Sequence, residues 1–345
     1  MLQWENELRN RTIYMKKRIR VVVVGCGYFG QKRVQACLQA SSSIQLMGVV
    51  DLNKQKAKQI GTKYKIAFDT TLSGVLKKIS CDAAVIAVPN VYHTSCTIEA
   101  LSQGLHVLCE KPLAPTSRDA DSIVRAAKRY KRFVKTGSNH RFFPSIQKAH
   151  ELVHQGTIGK ILLFKGSIGN NGEHVKNDWF WDKRLSGGGT VIDNGCHLID
   201  IARWFMGDFT TCVGSVGSVY WKKTLVEDTG TGIFTTKQNQ QAIISCSWTQ
   251  WTGYMTIEIW GGKGYILIDS KNGDWLIVGN KDNTHIKKYD VSSIDPSSYQ
   301  KELEYFASCI QKNTQPLPDV FDGAAVIHLI ESVYKSAKEK KEIHI

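Results

Sequence analysis

Apolar runs and helix-like segments alternate along the first 140 residues. Residues 19–24 are β-branched at every position except Arg20, which is typical of a strand buried on both faces of a parallel sheet. Similar apolar runs predict strands at residues 44–50, 82–88, 105–109 and 133–137. The segments between them predict helices at residues 31–40, 54–64, 92–102 and 117–131. Strands that alternate with helices in this way indicate a doubly wound α/β sheet of parallel strands.

After residue 140 the pattern becomes that of an α+β region. Residues 210–286 are rich in Thr, Ser, Val, Ile and Trp and are interrupted by Gly and Asn, which is typical of antiparallel strands. Residues 187–206 begin glycine-rich and continue with helical spacing. Further helices are predicted at residues 145–155, 299–311 and 323–338. The second region is therefore predicted to be an α+β domain with an open, mostly antiparallel sheet.

The change of pattern suggests the domain boundaries. We place the first domain at residues 18–138 and the second at residues 139–345, with the last helix as a candidate to pack back on the first domain. Residues 1–17 are interpreted as an N-terminal extension without assigned function. The reason is that Met15-Lys16-Lys17-Arg18-Ile19 reads like a natural start directly before a strand.

The first strand runs into a glycine-rich turn, Gly25-Cys26-Gly27-Tyr28-Phe29-Gly30. In dinucleotide-binding turns the first glycine permits a tight turn, the second lets a pyrophosphate approach the backbone, and the third lets the helix pack on the strand. The phosphates then lie at the helix N-terminus, where free N–H groups and the helix dipole favour anions. Because this motif follows a strand and opens a helix, it predicts a Rossmann domain in which residues 25–30 contact the cofactor.

Asp51 indicates which dinucleotide is bound. It closes the strand at residues 44–50 and lies 21 residues beyond Gly30 (51 − 30). A carboxylate there accepts hydrogen bonds from the adenosine ribose hydroxyls and repels a 2′-phosphate, so NAD is expected rather than NADP. The nearby Lys54 weakens this preference.

Two more polar segments follow strands of the predicted sheet. The first contains Pro89, Asn90 and His93, and the second contains Glu110 and Lys111. Ligands of open α/β sheets bind at the carboxyl ends of the strands, so all five residues are predicted to line the cofactor site. The lysine would place a positive charge beside a nicotinamide.

Together these motifs resemble the Gfo/Idh/MocA family, named after glucose–fructose oxidoreductase, inositol dehydrogenase and a rhizopine catabolism protein. The likeness covers about residues 18–345. The segments that carry it are Glu110-Lys111-Pro112, Asn139-x-Arg141-x-x-Pro144, Gly187-Gly188-Gly189, Asp193-x-Gly195-x-His197, the glycine-containing stretch at 259–269 and the closing helix at 322–337.

The resemblance implies a catalytic lysine, aspartate and histidine, which correspond to Lys111, Asp193 and His197. The spacing is consistent with this, because residues four apart share one face of a helix, and an imidazole beside a carboxylate can take the proton of a hydroxyl that the carboxylate orients. Asn139 completes the predicted cofactor contacts. Arg141 and Asn194 join the three catalytic residues in the predicted substrate site.

A loop at residues 170–184 supplies further candidates for substrate binding. Trp181, Lys183 and Arg184 combine an aromatic ring with two positive charges, which suits a sugar ring with an anionic substituent. The alternative is an ordinary loop packed under the second domain.

The predicted function is NAD(H)-dependent oxidation of a secondary hydroxyl of a sugar, cyclitol or nucleotide-linked sugar. In this hypothesis His197 acts as general base, Lys111 stabilises the developing alkoxide and Asp193 orients the substrate, the imidazole, or both. One alternative is a reductase that uses the same site on a keto-sugar. Another is a sensor that binds NAD or a sugar without catalysis.

Composition narrows the possible partners. The chain carries 45 Lys and Arg against 31 Asp and Glu, a net charge of +14, but the basic residues are scattered and no nucleic-acid-binding signature is present. We therefore expect no nucleic-acid partner. The nine cysteines include no C-x-x-C pair and no H-E-x-x-H occurs, so neither a metal site nor a disulfide framework is expected.

The remaining expectations concern location and assembly. No apolar run approaches the roughly 18 residues of a membrane span, and a soluble, cytoplasmic protein is predicted. A homo-oligomer, dimer or tetramer, is expected through the sheet of the second domain. The aromatic residues Trp248, Trp251 and Trp260 would then be partly buried between subunits, although Trp248 and Trp260 equally suit the domain's own core.

Overall fold

The computed structural model describes residues 17–173, 179–221, 225–271, 273, 275–292 and 295–345. The predicted N-terminal extension lies almost wholly outside these residues. The first region contains six strands: β1 (Ile19–Val24), β2 (Ile44–Val50), β3 (Ala67–Asp69), β4 (Ala83–Ile86), β5 (His106–Glu110) and β6 (Val134–Gly137). Its helices are α1 (Tyr28–Gln39), α2 (Lys54–Tyr64), α3 (Leu72–Leu76), α4 (His93–Ser102) and α5 (Ser117–Tyr130).

The six strands form one parallel sheet in the order β3-β2-β1-β4-β5-β6. This is the doubly wound order, and the chain reverses its direction of winding between β1 and β4. Residues Val21, Val22 and Val23 are fully buried, as the uninterrupted apolar run predicts. The short elements β3 and α3 were not predicted, because neither is long enough to show a clear period.

The second region begins with a 3₁₀ turn, Asn139–Phe142, and α6 (Pro144–His154). Its later helices are α7 (Lys183–Ser186), α8 (Cys196–Met206), α9 (Ser298–Lys312) and α10 (Val320–Glu339). Its strands are β7 (Ile161–Gly169), β8 (Phe209–Gly217), β9 (Thr229–Thr236), β10 (Gln241–Ser247), β11 (Tyr254–Gly261), β12 (Gly264–Asp269), β13 (Trp275–Asn280), β14 (Ile286–Asp290) and β15 (Ile343–His344).

These nine strands form a second sheet in the order β14-β13-β12-β11-β7-β10-β9-β8-β15. Every neighbouring pair is antiparallel except β7 and β10, which are parallel. The predicted open, mostly antiparallel sheet is therefore confirmed. Strands β9 to β12 alternate between buried and more exposed residues, so one face packs on the core and the other faces outward.

The last two long helices join the two sheets. Helix α9 packs against α1 of the parallel sheet, and α10 packs against both α5 and β8. A buried network of opposite charges accompanies this contact. Arg33 of α1 pairs with Glu110 at 2.5 Å and with Glu302 of α9 at 2.7 Å, and Glu302 also pairs with Lys135 of β6 at 2.7 Å. The network connects α1, the helix that follows the glycine turn, to the C-terminal half of the chain.

Within the described residues, no helix is both long and apolar enough to cross a membrane. All nine cysteines lie in this part of the chain, and none is paired in a disulfide.

Candidate active site

The carboxyl ends of the parallel strands bring most of the predicted cofactor residues to one edge of the sheet. Gly25 follows β1, Asp51 follows β2, Asn90 follows β4, Lys111 follows β5 and Asn139 follows β6. Because all six strands run in one direction, their carboxyl ends share that edge. It includes the β1/β4 switch point, where ligands of doubly wound sheets bind.

The glycine turn has the geometry that its sequence predicts. Gly25 adopts a φ of +103°, which favours glycine, and a Cβ on Gly30 would lie 2.0 Å from the Gly25 carbonyl oxygen. A Cβ on Gly27 would meet no protein atom within 4 Å. Helix α1 begins directly after Gly27 and has no acidic residue in its first turn. The fold itself thus requires glycine at residues 25 and 30. Gly27 instead borders open space at a helix N-terminus, which suits a pyrophosphate.

Asp51 is fixed beside this turn. Its carboxylate accepts hydrogen bonds from the backbone N–H of Cys26 at 2.7 Å and of Asn53 at 2.8 Å. Each carboxylate oxygen keeps a second acceptor position, so the residue can brace the turn and still accept a ribose hydroxyl. Tyr28 is exposed and Cys26 is buried, with its thiol directed at the carbonyl of Val50.

Lys111 and Asp193, which are 82 residues apart in the sequence, meet at the centre of the site. The Lys111 ammonium donates to the Asp193 carboxylate at 2.7 Å and to its backbone carbonyl at 3.0 Å. Burial alone would lower the pKa of Lys111, but the Asp193 carboxylate outweighs it and holds the pKa above its ordinary value. The lysine is therefore a cation, and its third N–H remains available for a substrate oxygen.

His197 lies in the first turn of α8, four residues beyond Asp193. Its ring is buried and stacks on His140 with centroids 3.6 Å apart and planes 10° apart. Burial lowers the pKa of His197 well below its ordinary value, and His140 and the Lys111 ammonium lower it further. The imidazole is thus neutral and able to accept a proton.

A single π-helical turn, Val191–Gly195, carries Asp193 and leads directly into α8. Sequence reasoning treated residues 187–206 as glycine-rich and then helical, and the structure divides them into the glycine run 187–189, the π turn and α8. Glu227 holds the start of this turn, because its carboxylate accepts the backbone N–H of Gly189 at 2.9 Å and of Val191 at 3.0 Å. The Tyr334 hydroxyl donates to the same carboxylate at 2.8 Å. These bonds fix the segment that positions Asp193 and His197.

Several predicted cofactor contacts make bonds within the protein. The Glu110 carboxylate faces Arg33 and the His93 ring nitrogens lie 2.7 Å and 2.9 Å from the backbone carbonyls of Pro112 and Val88. These bonds show how Glu110 and His93 are held around Lys111, and their contacts with the cofactor stay predictions.

Two asparagines join the halves of the chain at the same edge. The Asn90 amide donates to the carbonyl of Ser186 at 2.8 Å, and the Asn139 amide donates to the hydroxyl of Ser298 at 3.0 Å. Pro89 precedes the short 3₁₀ turn that carries Asn90. These contacts link the two regions at the carboxyl ends of the parallel strands.

The predicted substrate residues are only partly brought together. Arg141 is buried in a bidentate pair with Asp200, at 2.8 Å and 2.7 Å, so its guanidinium is committed to α8. The pair shows how Arg141 is held, and its contact with substrate stays a prediction. The Asn194 amide likewise donates to Thr190 at 3.1 Å, which leaves its carbonyl oxygen for other partners.

The loop residues differ from one another. Trp181 packs against Trp221 and Trp248, and its buried indole N–H has no acceptor among the described residues. Lys183 and Arg184 are exposed on α7, and Arg184 pairs with Asp182 at 2.7 Å. Part of the loop, residues 174–178, lies outside the described residues.

The site and the two sheets define an NAD(P)-dependent dehydrogenase. The chain matches a family described as "Oxidoreductase family, NAD-binding Rossmann fold" over residues 19–138, and the "GFO/IDH/MocA C-terminal domain" over residues 146–267. The protein therefore belongs to the Gfo/Idh/MocA family of oxidoreductases, as the motifs predicted.

Relatives of known activity span the whole chain. It is 23% identical over 341 residues to D-xylose 1-dehydrogenase [NADP(+)] of Haloarcula marismortui, covering 95% of this chain and 93% of that protein. It is 24% identical over 337 residues to myo-inositol 2-dehydrogenase of Thermotoga maritima, covering 95% and 98%. The structure of levoglucosan dehydrogenase in complex with NADH superposes with a TM-score of 0.87 at 19% identity, covering 95% and 99%.

Sequence reasoning missed three residues that shape the site. His140 stood at the variable position of Asn139-x-Arg141, and Arg33 and Glu227 belonged to no motif that we considered. Their roles depend on partners far away in the chain, such as Glu302 for Arg33 and Gly189 for Glu227. Arg33 and Glu227 each stand next to another polar residue, Lys32 and Asp228, so the local sequence does not indicate that they are buried.

Proposed function

We propose that the protein is an NAD(H)-dependent dehydrogenase that oxidises a secondary hydroxyl of a sugar or cyclitol, including a nucleotide-linked sugar. The observation that carries this proposal is the Lys111–Asp193 ion pair beside the neutral His197, at the strand edge where the glycine turn also lies. A cation, a carboxylate and a neutral imidazole are together what removal of a hydroxyl proton requires.

Each of the three groups has a separate task in this mechanism. The free N–H of the Lys111 ammonium donates to the substrate oxygen and stabilises the negative charge that develops there. His197 accepts the hydroxyl proton, and Asp193 holds the ammonium in place while its second carboxylate oxygen orients a neighbouring hydroxyl. The nicotinamide, when bound, supplies the hydride acceptor for the carbinol carbon. In the opposite direction the same groups serve reduction of a keto-sugar.

The proposed cofactor is NAD, held by residues 25–30 and by Asp51. Support comes from the open space at Gly27 and from the carboxylate of Asp51, which disfavours a 2′-phosphate. The NADP-dependent xylose dehydrogenase among the relatives makes this a question for experiment. Titration of the protein with NAD⁺ and NADP⁺ should give the lower Kd for NAD⁺. A lower Kd for NADP⁺ would overturn our interpretation of Asp51.

The substrate class is tested with NAD⁺ and a panel of free sugars, inositols, sugar phosphates and nucleotide sugars. We expect NADH to form with at least one member, and the reverse reaction to proceed from the corresponding ketone and NADH. A comparison of the two directions then distinguishes a dehydrogenase from a reductase. NAD⁺ binding without turnover of any member in either direction would favour the sensor instead.

We also propose a cytoplasmic homo-oligomer. The nine unpaired cysteines support a reducing compartment. The outward face of the nine-stranded sheet carries the rings of Trp260 and Tyr265, with centroids 5.2 Å apart, and supports association of subunits through that face.

A further inference from the structure

His140 forms a layered stack with the proposed general base. The residue lies in the 3₁₀ turn Asn139–Phe142 that follows β6, so it enters the site from the same strand edge as Lys111. One face of its ring lies on His197, with centroids 3.6 Å apart and planes 10° apart. Phe143 packs against the His140 ring with centroids 4.4 Å apart and planes tilted by 30°. His140 therefore contacts both the His197 imidazole and the Phe143 ring.

The surroundings of both imidazoles favour the neutral form. The Nδ1 atoms of His140 and His197 are buried and have no hydrogen-bond partner among the described residues. An imidazolium carries an N–H on each nitrogen, so protonation of either ring would place a donor at Nδ1 without an acceptor. Burial lowers the pKa of His140 to about 3, and the Lys111 ammonium contributes to this. His140 thus stays neutral beside His197 throughout the physiological range.

The charged groups near the stack are largely paired with one another. Lys111 from the end of β5 is paired with Asp193 of the π turn, and Arg141, next to His140, is paired with Asp200 of α8. Among these groups, the Lys111 ammonium acts on both rings and opposes a second positive charge. His140 covers one face of the buried His197 ring.

We propose that His140 is a positioning residue for His197: its ring fixes the plane of the His197 imidazole and shields one face from water, so that His197 remains a neutral proton acceptor in acidic solution. The part of this proposal that concerns turnover rests on the proposed function. The effect of the stack on His197 is independent of turnover.

The test measures protonation of His197 directly. Full-length protein with isotope-labelled histidines is titrated by NMR, and His197→Gln identifies the His197 signal. His140→Ala removes the stacked ring, His140→Phe keeps a flat ring without nitrogens, and His328→Ala is the control, since His328 is an exposed residue of α10 paired with Asp121. Thermal unfolding confirms that each variant is folded, and His140→Asn replaces His140→Ala if the latter does not fold.

We expect His140→Ala to raise the proton affinity of His197 about tenfold or more, because water reaches the uncovered ring. His140→Phe should raise it less than about threefold, and His328→Ala should not change it. The acidic limb of kcat/KM should move to higher pH in His140→Ala, while the KM for NAD⁺ stays constant.

Two results would overturn the proposal: an unchanged His197 titration in His140→Ala, or an equal rise in His140→Phe. If the titration shifts as expected while His197→Gln keeps normal turnover, the stack is supported and the assignment of His197 as general base fails. The two proposals can therefore fail separately.

Discussion

The three glycines of the first turn occupy three different environments. A Cβ on Gly25 or Gly30 would lie 2.2 Å and 2.0 Å from backbone oxygen atoms, whereas a Cβ on Gly27 would meet no protein atom within 4 Å. Gly27 also has a φ of −71°, which any residue adopts. The protein fold requires glycine at residues 25 and 30, and only a ligand would require it at residue 27.

Because of this difference, a substitution at Gly27 is predicted to weaken cofactor binding with little effect on stability. Gly27→Ala should change the free energy of unfolding by less than about 1 kcal/mol, because alanine restricts the unfolded chain but is a poorer N-cap of α1 than glycine. The same substitution should raise the Kd for NAD⁺ about tenfold or more, since the methyl group occupies the approach of the pyrophosphate. Denaturant unfolding and NAD⁺ titration measure the two effects.

Gly30→Ala is the matched control for this experiment. Its methyl group clashes with the Gly25 carbonyl oxygen, so it should lower stability as well as binding. Unimpaired NAD⁺ binding by Gly27→Ala would show that the cofactor does not lie on this turn.

The motifs identified candidate side chains but not the distant partners that the fold places beside them. Lys111 and Asp193 were both predicted, and the structure brings them within 2.7 Å. Arg141 belonged to the same set of motifs, yet Asp200 neutralises it. The sequence contains no local signal that distinguishes these two basic residues, because each depends on which carboxylate the fold places beside it.

At the level of elements, the run at residues 187–189 consists of glycines because neighbouring atoms pack too closely against it for a side chain. A Cβ on Gly188 would lie 2.2 Å from the Tyr334 hydroxyl, and a Cβ on Gly189 would lie 1.9 Å from the Glu227 carbonyl oxygen. The run thus lets the backbone approach Glu227, whose carboxylate binds the start of the π turn. The sequence shows the three glycines but not what they approach.

Gly189→Ala should therefore impair catalysis without touching a catalytic side chain. The added methyl group forces the backbone away from Glu227, which we expect to cost about 1–3 kcal/mol of stability and to lower kcat by displacing Asp193 and His197. Gly262→Ala is the matched control, because a Cβ there meets no atom within 4 Å and its φ is not positive. Thermal unfolding and steady-state kinetics compare the two variants, and equal behaviour would refute the proposed role of the glycine run.

The pattern of elements was largely predictable for the parallel sheet and less so for the second sheet. A fully buried strand such as β1 has a continuous apolar run, which is easy to recognise. Strand β7 was missed because its polar and small residues Lys165, Gly166 and Ser167 conceal the apolar pattern. It nevertheless lies in the middle of the nine-stranded sheet, between β11 and β10, a position that only long-range pairing determines.

At the scale of the whole molecule, the outward face of the nine-stranded sheet is the candidate for subunit association. Trp248 is fully buried within its own subunit, and Trp251 and Trp260 are 60% and 38% exposed. Trp260 lies opposite Leu163 on one neighbouring strand and Tyr265 on the other. Exposed aromatic rings are enriched in protein–protein interfaces, and here the Trp260 indole lies beside the ion pair of Lys165 and Glu258.

Trp260→Glu should accordingly reduce association. An added charge at residue 260 is costly to bury against a second subunit, so the variant should sediment as a smaller species than the wild-type protein at equal concentration. Leu38→Glu, on α1 of the parallel sheet and 37% exposed, serves as the comparison. If Trp260→Glu retains the wild-type mass, the subunits associate through another surface.

The two halves of the molecule meet at the proposed reacting groups, because Lys111 follows β5 of the parallel sheet, whereas Asp193 and His197 lie between β7 and β8 of the second sheet. We propose that these groups catalyse transfer of a hydride to NAD⁺ from the carbon that bears a sugar-type hydroxyl, while the hydroxyl proton passes to His197. The most direct measurement is the rate at which Lys111→Met forms NADH from the substrate found in the panel. Lys148→Met is the control, because Lys148 forms only an exposed ion pair with Glu151 on α6. Folding is checked by thermal unfolding. We predict a loss of kcat of about 100-fold or more for Lys111→Met, because the donor to the developing alkoxide is removed, and no loss for Lys148→Met. Wild-type kcat in folded Lys111→Met would contradict the account.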